Sequence, residues 1–163
     1  MNDTFRRKIF GIKNEAEFNA AALELFRYQS SANTVYSDFI RNLGTDIRSV
    51  KDFRQIPFMP VSFFTYHNIY CSDRPPVTTF YSSGTTGMVR SHHSVADISY
   101  YEESYSRTFS LFYGEPSQYA FLALLPSYAD REGSSLVHMV KGLIRLSGND
   151  SGGFFLENHE ELL

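Results

Sequence analysis

The chain has little of what builds disulfide frameworks or membrane spans. Of its 163 residues one is cysteine, Cys71, and none is tryptophan. A single cysteine excludes an intramolecular disulfide and fits a reducing compartment. The most apolar run, 119–125, is far shorter than the roughly 20 residues of a membrane-spanning helix. The apolar stretch that follows Arg6, Arg7 and Lys8 is too short for a secretory signal. We therefore expect a cytoplasmic protein with no membrane span.

Several catalytic and binding patterns are also missing. The sequence has no Gly-x-Ser-x-Gly, which disfavours a serine hydrolase, and no His-x-x-x-His or Cys-x-x-Cys spacing that predicts a zinc site. The net charge of −3 provides no general nucleic-acid footprint. The length is suitable for one domain with its own core. The aromatic share of 16% is high and favours an aromatic core or a buried interface.

The segment 80–90 is the most informative part of the chain. After Phe80 and Tyr81 come six consecutive small residues, four of them hydroxylic, and Arg90 follows shortly after. Glycines let the backbone approach a ligand, and turned N–H groups form an anion-binding nest. Hydroxyls and arginine donate to phosphate oxygens. The segment therefore predicts a loop that binds a phosphate chain through Ser82, Ser83, Gly84, Thr85, Thr86, Gly87 and Arg90. A Gly/Ser hairpin turn with an incidental arginine is the alternative.

Other nucleotide-binding loops do not fit this segment. A Walker loop requires Gly-x-x-x-x-Gly-Lys-Ser/Thr, but Val89 stands where the second glycine would follow Gly84. The dinucleotide fingerprint Gly-x-Gly-x-x-Gly is absent as well.

Capping and spacing signals predict helices in the first 50 residues. Asn14 and Glu17 resemble a capping box in front of apolar residues at helical spacing. A second helix is predicted for 34–43, and Gly44 ends it. Its inward-facing residues are predicted to be Val35, Phe39, Ile40 and Leu43. The proline-interrupted run 56–64 is predicted to be extended and irregular.

Strands and helices alternate after residue 75. A strand at 77–81 is predicted to lead into the loop, with 89–92 as its hairpin partner, and Ser94 and Asp97 predict a capping box for the next helix. The remaining predicted elements are a buried parallel strand 119–125, a helix 135–146 and a strand 153–156. This order predicts an α/β fold in one domain. A helical N-terminal region, 1–55, precedes a partial, mainly parallel sheet with flanking helices, 56–163.

Several segments together resemble the acyl-protein synthetase (LuxE-type) branch of the adenylate-forming, AMP-binding superfamily. The loop is similar to the phosphate loop of that superfamily, whose usual form ends Thr-Gly-x-Pro-Lys. Here Val89 replaces the proline and Arg90 replaces the lysine. The other matching segments are 56–64, 124–128 and 134–140, in the same order and with similar spacing. The resemblance covers nearly the whole chain from residue 50.

The resemblance implies ATP-dependent activation of a carboxylate, with a fatty acid as the expected substrate. Mg²⁺-bound ATP would lose pyrophosphate to give an acyl-adenylate, and the acyl group would pass to a thiol of the enzyme or of an acceptor protein. An acyl-donor protein is the alternative partner. The loop would grip the β- and γ-phosphates, and Ser127 and Tyr128 would border the acyl or nucleotide pocket. The implied fold is the N-terminal part of the large domain of such an enzyme. No catalytic residue is implied within this chain, and no metal ligand.

Residues 1–163 also differ from a complete family member. They contain no aromatic-Gly-x-Thr-Glu-like adenine motif and no counterpart of the ribose-binding aspartate. Cys71 precedes the loop, whereas the acyl-accepting cysteine of the bioluminescence enzymes lies near their C-terminus, so that role is not transferred to it. We expect an N-terminal portion that is inactive alone and self-associates through an exposed apolar face. The alternative is a non-catalytic module that binds phosphate or nucleotide, or serves as an oligomerisation scaffold.

Overall fold

The computed structural model describes residues 3–83, 89–125 and 133–155. The contacts of the chain divide it into two units, Met1–Pro75 and Pro76–Leu163. The predicted division after residue 55 differs from this boundary, because residues 56–75 belong with the helices that precede them. Tyr36 donates its hydroxyl to the carbonyl of Pro57 (2.6 Å), and Tyr28 donates to the carbonyl of Cys71 (2.8 Å). Within the described residues, no helix combines the length and the apolarity needed to cross a membrane.

The first unit consists of helices joined by short turns. Its elements are α1 (Asp3–Phe10), α2 (Glu15–Ala32), α3 (Thr34–Asn42), a 3₁₀ turn (Phe53–Gln55) and α4 (Phe63–Tyr66). The predicted start of α2 is confirmed, since Asn14 Oδ1 accepts from the backbone N–H of Glu17 (2.9 Å). The carboxylate of Glu17 accepts from the backbone N–H of Lys13 (2.8 Å), whereas in a capping box it would accept from that of Asn14. Gly44, at φ +66°, ends α3 as predicted.

The core of this unit lies between α2 and α3. Its buried residues are Leu23, Phe26, Tyr36, Ile40 and Val50. The inward position predicted for Leu43 is wrong, because its side chain is 55% exposed. Tyr36 is buried in the core although it was not among the residues predicted to face inward. The irregular run predicted for 56–64 is confirmed for 56–62, which has neither helix nor strand, but it is wrong for residues 63 and 64, which begin α4.

The second unit begins with a β-hairpin. β1 (Thr78–Tyr81) pairs antiparallel with β2 (His92–Val95), with Thr78 opposite Val95 and Tyr81 opposite His92. The predicted hairpin is confirmed, but its return strand begins three residues later than the predicted 89–92. The capping box at Ser94 is wrong, because Ser94 lies inside β2. Asp97 instead accepts from the N–H of Ser99 (3.0 Å) at the start of α5 (Ser99–Tyr113).

A parallel strand pair follows, with a helix in the connection. A 3₁₀ turn (Pro116–Gln118) leads to β3 (Leu122–Ala123), which pairs in parallel with β4 (Gly153–Phe154). Between them lies α6 (Ser135–Ser147). Its N-cap is Ser134, whose hydroxyl accepts from the N–H of Val137 (3.4 Å). The α/β class is confirmed. Within the described residues, however, the strands form one antiparallel and one parallel pair, and β3 spans only part of the predicted buried strand. Its Leu122 is exposed.

Candidate functional site

The hairpin β1–β2 brings the two ends of the Ser/Gly/Thr-rich segment together. The N–H of Ser82 donates to the carbonyl of Ser91 (2.9 Å). The N–H of Ser91 donates in turn to the hydroxyl oxygen of Ser82 (3.1 Å). This reciprocal pair closes the base of the segment 83–90 into a loop. The Ser82 hydroxyl is used as an acceptor, but its proton remains available to a ligand oxygen.

Ser83 and Arg90 occupy the two sides of this loop next to its base. Both are exposed to solvent. Among the described residues, no carboxylate forms an ion pair with Arg90. A guanidinium in this position presents a planar, permanently charged donor to an incoming anion. The other predicted loop residues, Gly84, Thr85, Thr86 and Gly87, lie outside the described residues.

β1 also contacts Gly133, the residue directly before the matching segment 134–140. The N–H of Tyr81 donates to the carbonyl of Gly133 (2.9 Å). Gly133 has φ +80°, and a β-carbon built on it would lie 2.7 Å from Cδ2 of Tyr81. Glycine is therefore required here by both backbone conformation and space. Gly133 thus lies beside Tyr81, the last residue of β1 before the loop. The predicted pocket residues Ser127 and Tyr128 lie outside the described residues.

An aromatic cluster beneath the hairpin supports β1 just before the loop. The ring of Phe80 lies 5.4 Å from that of Tyr101 and 5.8 Å from that of His138, as centroid distances. His138 Nε2 lies 3.3 Å from Oε1 of Glu102. Residues of α5 and α6 therefore hold the strand from which the loop departs. The sequence did not predict the contact of His138 with Phe80, because no periodicity links the two residues.

The tyrosine of this cluster is a fixed structural donor. Tyr101 donates its hydroxyl to the carbonyl of Ser135 (3.0 Å), at the first turn of α6. Burial raises the pKa of the Tyr101 hydroxyl above its ordinary value, and the bond to Ser135 opposes part of that rise. The hydroxyl therefore stays protonated at neutral pH and serves as a hydrogen-bond donor.

The described part of the chain offers no metal centre. In residues 3–83, 89–125 and 133–155, no three His, Cys, Asp or Glu side chains are grouped so that they could hold a metal ion. Cys71 is a half-buried thiol that accepts a weak hydrogen bond from Nδ2 of Asn33 (3.5 Å). It lies in the helical unit, away in sequence from the loop.

Comparisons with known proteins give no relative from which a role for these residues follows. No family model, no curated protein and no solved structure matches the chain.

Proposed function

We propose that the chain supplies the phosphate-binding part of a ligase that activates a carboxylate with ATP. In this reaction a carboxylate oxygen of a fatty acid attacks the α-phosphorus of ATP, and the bond to the leaving pyrophosphate breaks. A thiol of the enzyme or of a partner protein then attacks the acyl carbonyl, and AMP leaves. The resemblance of the loop and of three further segments to acyl-protein synthetases supports this reaction.

The observation that carries the proposal is the closed base of the loop. The reciprocal bonds between Ser82 and Ser91 hold together the two ends of a segment rich in hydroxyl and glycine residues. Arg90 stands exposed one residue before Ser91. Donors fixed before the reaction stabilise charge that develops on the phosphates without further reorganisation. Ser82, Ser83 and Arg90 fit a polyphosphate, since all three can donate to its oxygens.

Mg²⁺ enters this proposal together with ATP. Mg²⁺ keeps several waters and is usually bound through substrate phosphates and one or two carboxylates. The described residues contain no group of three or more His, Cys, Asp or Glu side chains that could hold a metal ion. The contribution of this chain is therefore to bind the phosphate oxygens and to neutralise their charge through Arg90.

The test is pyrophosphate release by the complete enzyme with ATP, Mg²⁺ and a panel of carboxylates of increasing chain length. We expect release that depends on both ATP and one class of carboxylate. Trapping with hydroxylamine should yield the hydroxamate of the same acid, because hydroxylamine captures an activated acyl group. Pyrophosphate release that is unchanged when every carboxylate is omitted contradicts the proposal.

A non-catalytic scaffold is the second candidate, and the apolar surface of the second unit favours it. Phe109 contacts Tyr119 and Phe121, so the end of α5 packs beside the residues that precede β3. Several large apolar side chains at the end of α5 and in the segment 122–124 are nevertheless exposed, namely Leu111, Phe112, Tyr113, Leu122 and Leu124. Large apolar patches on soluble proteins commonly mark interaction sites. In this candidate the chain keeps the phosphate loop but uses this surface for self-association.

Sedimentation velocity tests the self-association that the scaffold requires. Self-association should give a species larger than the 18.7 kDa chain. The double substitution Phe112→Ser and Leu122→Ser should return it to a monomer, while the matched substitution of exposed Phe58→Ser in the first unit should not. A wild-type chain that is monomeric at every concentration removes the support for the scaffold.

A further inference from the structure

The helical unit contains a half-open cavity of about 310 Å³. Its walls include Phe18 and Leu25 of α2, together with Phe53, Met59 and Phe64. None of the described residues that line it is charged. Its volume is at the lower end of the range for small-molecule sites, about 300–1,000 Å³, and such sites are mostly apolar with a few placed polar groups.

Two amides line this cavity together with Tyr36, whose hydroxyl already donates to the carbonyl of Pro57 (2.6 Å). Gln29 and Asn33 stand four residues apart at the end of α2, so they share one face of the helix. Asn33 is only 3% exposed; its Oδ1 accepts from the N–H of Tyr36 (3.0 Å) and its Nδ2 faces Sγ of Cys71 (3.5 Å). An amide nitrogen carries two protons, so a second N–H of Asn33 is available to a ligand acceptor. Gln29 is exposed, and its amide is accessible from solvent.

The chemistry of the lining selects the ligand. We infer that this cavity binds a neutral, mainly hydrocarbon small molecule with one hydrogen-bond-accepting group, such as a medium-chain alcohol or ester. A carboxylate would lose its hydration without gaining a cationic partner, which is strongly unfavourable. A cavity of about 150 Å³ holds one benzene, so this one suits a ligand roughly twice that size.

The exposure of Phe58 favours a ligand site over imperfect packing as the explanation for the cavity. It lines the cavity, yet its side chain is 78% exposed to solvent. A hydrocarbon chain in the cavity would cover part of this ring and gain the free energy of removing apolar surface from water. The inference depends only on the helical unit and is independent of the proposed ATP-dependent reaction.

The experiment is a titration of the ¹⁵N-labelled chain with octan-1-ol and with octanoate, followed by backbone amide chemical shifts. We expect saturable shifts with octan-1-ol that centre on Ala22, Leu25 and Gln29. Octanoate has the same chain length but a charge, and we expect it to bind at least roughly tenfold more weakly at neutral pH, because its desolvation is uncompensated.

Two alanines of α2 provide a matched pair of variants. Ala22 lines the cavity, whereas Ala20 is exposed on the same helix and does not line it. Ala22→Phe should abolish octan-1-ol binding by filling the cavity, and Ala20→Phe should leave the affinity unchanged. The exposed substitution Gln29→Met should weaken binding roughly two- to tenfold, since the thioether cannot donate a hydrogen bond to the ligand.

Each result decides for or against the site. Absence of saturable shifts, equal affinities of Ala22→Phe and Ala20→Phe, or equal binding of octanoate and octan-1-ol overturns the inference. If Ala22→Phe does not fold, as judged by circular dichroism, Gln29→Met takes its place: unchanged octan-1-ol affinity in that variant overturns the inference, and the expected loss supports it.

Discussion

Tyr105 of α5 lies directly over Gly142 of α6. A β-carbon built on Gly142 would be 1.9 Å from the Tyr105 hydroxyl oxygen and 2.7 Å from Cζ of its ring. Both residues are buried. The two helices therefore approach each other at a point where only a hydrogen fits, and this contact connects the helices whose residues also support the hairpin.

We expect Gly142→Ala to lower the free energy of unfolding by about 1–3 kcal/mol, the usual effect of overpacking. A loss of stability would be informative, because replacing a helical glycine with alanine normally raises the free energy of unfolding by roughly 0.5–1 kcal/mol. Urea denaturation measures the effect. The double variant Gly142→Ala, Tyr105→Phe should lose less than the sum of the two single variants, since the nearest atom is gone. A more stable Gly142→Ala variant would show that the helices do not approach so closely.

Stability should fall in strongly alkaline solution because of three tyrosines. Burial raises the pKa of Tyr36, Tyr101 and Tyr105 above the ordinary value of 10.0, and Glu102 adds to the rise at Tyr105. The folded state disfavours the phenolate. The stability that these hydroxyls contribute is therefore complete below pH 10.0 and is lost as the pH rises through their higher folded values. Melting temperatures between pH 9 and 11 measure the loss.

A phenylalanine variant isolates this effect from other groups that titrate in the same range. Tyr105→Phe should show a shallower decline of melting temperature above pH 10 than the wild type. The exposed Tyr66→Phe is the matched control and should decline as steeply as the wild type. Identical slopes for Tyr105→Phe and the wild type would argue against a buried, un-ionised Tyr105.

Asn33 caps the junction of two helices. Its backbone N–H donates to the carbonyl of Gln29 (3.0 Å) at the end of α2, and its Oδ1 accepts from the N–H of Tyr36 (3.0 Å) at the start of α3. Asn33→Ala should lower the free energy of unfolding by about 1–2 kcal/mol through loss of the cap. Asn33→Ser should retain much of the stability, since a serine hydroxyl can also accept. Equal stability of Asn33→Ala and the wild type in urea would contradict the cap.

Arg90 provides the direct test of phosphate binding. We expect Arg90→Ala to weaken ATP use by the complete enzyme by about 1.5–3 kcal/mol, the range for a hydrogen bond to a charged group. Arg90→Lys should recover part of this, because the charge remains while the bidentate fork is lost. Arg145 is another exposed arginine of the same unit, and Arg145→Ala serves as the control. Wild-type ATP kinetics in Arg90→Ala would remove the role proposed for Arg90, whatever the effect on melting temperature.

The 163-residue chain should bind phosphate without catalysing adenylation. It carries the loop but no motif for adenine or ribose. We therefore expect ATP–pyrophosphate exchange no faster than that of a heat-treated control. Calorimetric titration with pyrophosphate measures binding in the same preparation. Exchange well above the control would show that the chain contains a complete adenylation site.

Local signals in the sequence were enough to predict most helices and the hairpin. Asn14 and Gly44 act through a hydrogen bond or a backbone conformation that involves only neighbouring residues, so their effects can be predicted from the sequence alone. The helical spacing of apolar residues in α6, and Gly148 directly after this helix, are local signals of the same kind. The β1–β2 hairpin was also predicted from local sequence, because two short predicted strands flank a segment rich in serine and glycine.

The tertiary structure decided what depends on distant residues. Ser94 and Asp97 match a capping box, but pairing with β1 draws Ser94 into a strand, and ladder bonds replace the cap. Leu43 matches the helical stripe, yet it is 55% exposed. The contacts of Phe80 with Tyr101 and His138, and of Tyr105 with Gly142, join residues 21 to 58 positions apart. Sequence spacing cannot specify such contacts, because they follow from how whole elements pack and not from the conformational preferences of any one of them.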